Sequence, residues 1–212
     1  ARGSSRWQVG VVPSQFAPDP GVPAPSAAPT HTLAQDANVE GVKLGMDRQA
    51  VSALFGKTPG FTEPLMCMGS RYGWRQRYYA DAGPVEVIYG ADGRAVFIER
   101  FVSKRPGRPL EHGPKLEAFD AREHRNKWVR MAGPPAATWE MKGFGDKCFT
   151  LAWGDYRDRI GMPMEHGDKG HSAVLQVVQA ADKLHVVEAL ADGPGLARLN
   201  RHLDAIIAAN AP

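Results

Sequence analysis

The chain has 212 residues, 43% of them hydrophobic and 23% charged, enough apolar material for a core in one domain or two small ones. Its 26 basic and 23 acidic side chains leave a formal charge of +3, too small to point to nucleic acid or anionic lipid. No apolar run approaches the ~18 residues that span a bilayer, so no transmembrane segment of its own is expected.

The sequence opens at Ala1-Arg2-Gly3-Ser4-Ser5, as after cleavage of a signal peptide behind a small residue, and an exported, periplasmic protein is expected. Residues 1–38 read as an extended arm in which Pro13, Pro18, Pro20, Pro23, Pro25 and Pro29 alternate with small residues. Proline fixes φ and lacks an amide proton, which favours polyproline-like extension over a packed element. Such a segment serves as a linker or as an arm laid across a partner. Trp7, Val9, Val11, Val12 and Phe16 favour the second, because a mobile tether has little use for apolar anchors.

Residues 39–103 read as a first α+β half. Arg48 to Gly56 is expected to be a short helix with Asp47 as its N-cap, and Met46 and Val51 stand at staple spacing. Gly56 ends it and Pro59 prevents its resumption. Strands are expected at Leu65 to Met68, Trp74 to Tyr79, Val85 to Tyr89 and Ala95 to Phe101, the last two joined by Gly90-Ala91-Asp92-Gly93. A sheet covered on one face by the helix is the simplest arrangement.

Residues 104–212 repeat the order. A helix from Leu116 to Met131 stops at Gly133-Pro134-Pro135; strands follow at Thr138 to Met141, Cys148 to Trp153, Ala173 to Gln179 and Leu184 to Leu190. A C-terminal helix starts near Pro194, with Leu196, Leu199, Leu203, Ile206 and Ile207 on one side. The expected fold is therefore α+β, two tandem helix-plus-antiparallel-sheet halves with a Pro-rich arm and a C-terminal helix.

The stretch Gly41-Val42-Lys43-Leu44-Gly45-Met46-Asp47, the Val51-centred helix and the stop at Gly56-Lys57-Thr58-Pro59 together resemble the opening of a family of small exported bacterial α+β domains. That family includes the small lipoprotein of the outer-membrane barrel-assembly machine and the β-lactamase inhibitor protein, the latter built of two tandem copies. The resemblance implies a scaffold whose sheet and loops grip proteins, without catalytic chemistry.

Met162, Met164, His166 and His171 are ligand types that copper prefers, but no Cys joins them and a surface loop is the expected reading. No His-Glu-x-x-His, two-Cys haem motif, nucleophile elbow or phosphate loop occurs, so neither a metal nor a cofactor is expected. Pairs such as Asp155/Asp158 and Glu111/Glu117 read as solvated. Cys67 and Cys148 occupy similar places in the two halves and suggest a disulfide between them, or else two reduced, buried thiols. Trp74 and Tyr78 lie on a strand rich in Arg, the composition of a binding hot spot, although most such aromatics are core.

The expected function is that of a non-catalytic accessory subunit binding a larger extracytoplasmic protein complex. A small subunit of a membrane-bound, periplasm-facing dehydrogenase fits the size and the arm. A secreted enzyme inhibitor and a periplasmic copper-binding protein are the alternatives.

Overall fold

The computed structural model describes residues 33–56, 58–80, 83–104, 121–140, 147–154, 170–180 and 183–211. The chain is mixed α+β. In order it forms α1 (Arg48–Phe55), β1 (Phe61–Cys67), β2 (Ser70–Ala80), β3 (Gly83–Tyr89), β4 (Ala95–Lys104), α2 (Ala121–Ala132), β5 (Ala137–Glu140), β6 (Lys147–Gly154), β7 (His171–Ala180), β8 (Lys183–Asp192) and α3 (Gly193–Ala209). The strands make one eight-stranded antiparallel sheet in the order β1-β2-β3-β4-β8-β7-β6-β5.

Local chemistry accounts for α1. The Asp47 carboxylate accepts from the Ala50 amide at 2.8 Å, and Gly56 closes the helix in the left-handed region at φ 59°. Met46 and Val51 both pack in the core, as staple spacing requires. The approach to the helix is stitched to β4: the Gly45 amide donates to the Ala95 carbonyl and the Ala95 amide to the Met46 carbonyl, both at 2.8 Å.

The strands that sequence marked as short are longer, because pairing with a neighbour carries polar residues into the ladder. β1 reaches back to Phe61 and β2 runs from Ser70, with Phe61 opposite Arg77 and Glu63 opposite Arg75. β1 is an edge strand containing Pro64, and its register shifts at a bulge between Leu65 and Met66.

The two faces of the sheet differ. One carries Tyr78, Val85, Val87, Ile98, Val102, Leu151, Leu175, Val177, Val186 and Leu190, all buried. Val51 of α1 and Trp128 of α2 close over this face; Phe55 stacks on Tyr78 at 4.7 Å and Trp128 lies 5.7 Å from Trp153. The Trp153 indole donates to the Gly133 carbonyl at 2.7 Å, fastening the end of α2 to β6.

The expectation of helical cover on one face holds for α1 and α2, whereas α3 packs on the other. Its Leu196 and Leu199 join Val96, Phe97 and Ala191 in a second cluster, flanked by Leu65, Tyr72 and Ile88. Leu196, Leu199 and Ile206 are buried, but Ile207, placed on the docked side by its spacing, is 45% exposed.

Leu33 and Ala37, assigned to the arm from sequence, are buried in the main core. The packed body therefore includes Leu33 and Ala37, ahead of the expected boundary after residue 38. The amide and carbonyl of Val39 bond those of Val42 at 3.0 and 2.9 Å, with Glu40 and Gly41 at positive φ (51° and 84°) in a tight turn.

Replacement of the α1 cap tests this local account. Asp47→Ala is expected to lower the stability of the chain by about 1 kcal/mol in urea unfolding, with the slope unchanged.

Candidate functional site

Buried charge marks the centre of the sheet. Arg100 on β4 and Glu188 on β8 are directly paired in register, and both point to the helix-covered face. Arg100 Nε lies 3.0 Å from Glu188 Oε2, and the other Glu188 oxygen accepts from the Trp128 indole at 2.6 Å and meets His124 Nε2. The Arg100 guanidinium also pairs with Glu40, beside which Lys127 stands at 3.9 Å. One network thus ties β4, β8, α2 and the turn before α1. Burial by itself drives the Glu188 carboxyl upward, but the His124 bond and the Arg100 charge outweigh it and hold the group below its usual range.

This arrangement is suited to holding the fold. Both carboxylate oxygens of Glu188 are engaged and its side chain is only 2% exposed, so no substrate atom has access to it. Among the described residues no group of three or more His, Cys, Asp or Glu is placed to hold a metal. The depression lined by Arg48, Gln49, Ser52 and Gln76 is shallow and open. Beside it runs a polar chain, Ser52 to Tyr78 at 3.0 Å, Tyr78 to Gln76 at 2.9 Å and Gln76 to Thr62 at 3.2 Å.

The opposite face is only partly covered. Along β1 and β2 it presents Phe61, Glu63, Arg75, Arg77 and Tyr79; along β3 and β4, Glu86, Glu99 and Phe101; along β8, His185 and Val187. Phe61 is 39% exposed, Tyr79 46% and Phe101 44%. The Phe101 and His185 rings lie 6.3 Å apart. Arg75 bridges Glu63 at 3.3 Å and Glu86 at 2.8 Å, and Arg77 reaches Glu86 at 2.8 Å. Burial raises the Glu86 carboxyl, but bonds from Arg75 and Arg77 prevail and hold it low.

Glu99 sits directly across the ladder from Glu86, a like-charge pair. Among the described residues nothing hydrogen-bonds or ion-pairs with its carboxyl. Burial, and after it the Glu86 charge, push this carboxyl up, and the charges of Arg75 and Arg77 only partly offset them.

The residues singled out by sequence fare differently. Trp7, Val9, Val11, Val12 and Phe16 lie outside the described residues, as do Met162, Met164 and His166. His171 is exposed and stands 3.3 Å from Asp192. Trp74 is half-buried, its ring faced by the Arg48 and Arg71 guanidiniums at 4.3 and 4.7 Å. Tyr78 is a correction: it is fully buried beneath α1, stacked on Phe55, and offers a partner no surface.

The expected disulfide is a second correction. Cys67 is a free thiol on edge strand β1, whereas Cys148 belongs to β6, six places away in the sheet order. At about 4.8 Å per strand the two backbones stand roughly 29 Å apart, far beyond the ~7 Å limit for a bridge.

Sequence reading missed Arg100, Glu188 and Glu99. The signal for the first two is a charged residue on the apolar parity of a strand, between Ile98 and Val102 and between Val186 and Leu190. The signal for Glu99 is its place between Phe97 and Phe101 on a strand apolar on both faces. Compared with family models, curated proteins and solved structures, the chain matches none of them.

Removing one partner of the buried network should cost far more than removing both. Arg100→Met is expected to destabilise the chain by about 3–5 kcal/mol, and Arg100→Met with Glu188→Leu by much less, read from urea unfolding. The pH dependence follows from Glu188. Its folded value is depressed, so its contribution is present above its ordinary value of 4.5 and is lost as pH falls through the folded value. The unfolding midpoint should drop with acid below about pH 4.5, and this drop should shrink in the double variant.

Proposed function

We propose that the chain is a non-catalytic, exported subunit that binds a larger extracytoplasmic protein complex through the open face of its sheet. The observation that carries this reading is the partly exposed row of Phe61, Tyr79 and Phe101 on a strand surface away from α1 and α2. Large aromatics beside charged residues are the composition of protein-binding surfaces, where a ring supplies much contact area at little entropic cost. The charge network on the other face serves the fold, which leaves the open face as the functional surface.

The repeated order of one helix and four strands supports a chain of two tandem halves, joined where β4 meets β8. In this reading residues 1–32 form the Pro-rich arm that extends the contact, with Trp7 and Phe16 among its anchors. A membrane-bound, periplasm-facing dehydrogenase, with this chain as its small subunit, remains the complex we favour. A secreted inhibitor of a free enzyme is the second reading, favoured by the same exposed row of aromatics.

Affinity purification from the native cell envelope, followed by mass spectrometry, tests the proposal. One large partner is expected in constant ratio with the wild-type chain, and recovery should fall at least about tenfold for the Phe101→Ala, Tyr79→Ala double variant. Deletion of residues 1–32 should leave the body folded and weaken recovery. Equal recovery of the same partner by the double variant would sink the open-face reading.

A further inference from the structure

The geometry points to a basic side chain, Arg or Lys set between apolar neighbours on the partner, as the group that docks on Glu99. This inference rests on the reading of the open face as a protein-binding surface and specifies the chemistry of what it binds.

The argument is one of charge complementarity. Both guanidiniums near this part of the face are already committed, Arg75 to Glu63 and Glu86, and Arg77 to Glu86. Glu86 is satisfied by the two of them. Glu99 is not: among the described residues its carboxyl has no hydrogen-bond or ion-pair partner, and it shares its strand face with Phe97 and Phe101. Its cross-strand neighbours are Glu86 on β3 and Ala189 on β8. An acidic or neutral partner would add repulsion or leave the carboxyl desolvated without compensation. A guanidinium or ammonium would meet an acceptor already partly stripped of water, while exposed Phe101 takes up the apolar stem or a neighbouring ring.

Docking of a cation favours the ionised carboxyl. The groups facing Glu99 are Glu86 from β3 and Arg75 and Arg77 from β2; on β8 its neighbours are uncharged Ala189 and Val187, with His185 farther along the same face beside Phe101. Because burial and Glu86 push the free carboxyl up, binding should strengthen as pH rises through its free-state value.

Selection of a displayed library of random twelve-residue peptides on the full chain is the test, with the enriched pool assayed on wild type, Glu99→Gln and Phe101→Ala. Glu99→Gln relieves a desolvated like-charge pair, so that variant should fold at least as well as wild type; circular dichroism and urea midpoints check both. The expected pool carries Arg or Lys beside an aromatic or aliphatic residue and loses about tenfold or more in affinity on either variant. Peptides lost on Phe101→Ala but indifferent to Glu99→Gln would overturn the basic anchor and leave the docking face standing. A pool indifferent to both would overturn the face as well. Sedimentation showing a dimer that Phe101→Ala dissociates would assign the face to a second copy of the chain and likewise overturn the proposal.

Discussion

The structure turns on the ion pair between Arg100 and Glu188, because it lies where the two four-strand runs meet. β4 and β8 each end a meander, and their pairing is what makes eight strands a single sheet. A slip of one residue would turn the buried side chains outward, but a slip of two keeps each on its own face, so apolar patterning alone does not forbid it. A buried cation opposite a buried anion changes that. Sliding β8 by two residues would place Glu188 against Ile98 or Val102 and strand both charges in the core. The same pair recruits Trp128 and His124 from α2 and Glu40 from the turn before α1, so the pairing of the strands and the seating of the helix above them are one constraint. Glu40 holds a positive φ of 51°, a conformation that a non-glycine residue adopts at some cost, and its contact with Arg100 supplies a reason for it.

How much of this was legible in the sequence depended on whether the signal was local. Helix α1 could be read with its cap, staple and glycine stop, because each of these is an interaction within a few residues. The β3–β4 hairpin and the β7–β8 pairing were visible for the same reason: a short turn between apolar runs. Position in space was not. Tyr78 has the composition of a hot spot on its strand, and only the seating of Phe55 above it makes it core. Cys67 and Cys148 match in chain order, yet order along a chain says nothing of the strands that intervene in the sheet. The body starts ahead of where composition suggests, because Leu33 and Ala37 are buried yet sit in a Pro- and Ala-rich context that resembles the arm.

The candidate site was the least legible part. In the sequence, the aromatics and the resemblance of the Gly41 to Pro59 segment point towards protein binding, but on β2 they single out Trp74 and Tyr78, which face the helices. Tyr79, next to Tyr78, faces the open side, and in a strand a shift of one residue exchanges buried for exposed. The alternation of β2 alone could not decide between them, since Arg75 and Arg77 on one parity and Trp74 and Tyr78 on the other both carry functional composition. The ladder decides it, by setting Arg77 against Glu86 and Tyr78 against Val85.

The edges of the sheet have a consequence of their own. At one margin stands β1, whose Pro64 has no amide to offer a neighbouring strand and whose spacing breaks at the bulge after Leu65. At the other stands β5, described over Ala137–Glu140. Proline, bulges and brevity are the devices by which natural sheets refuse an additional strand. A ribbon growing by backbone pairing, which is the route to fibrils and to strand-swapped dimers, finds a poor template at the β1 margin. Along β1 the backbone thus offers another strand little to pair with, while the face carrying Phe61, Tyr79 and Phe101 stays partly exposed. At this margin any recognition would be left to side chains, which differ between proteins, rather than to the backbone, which does not.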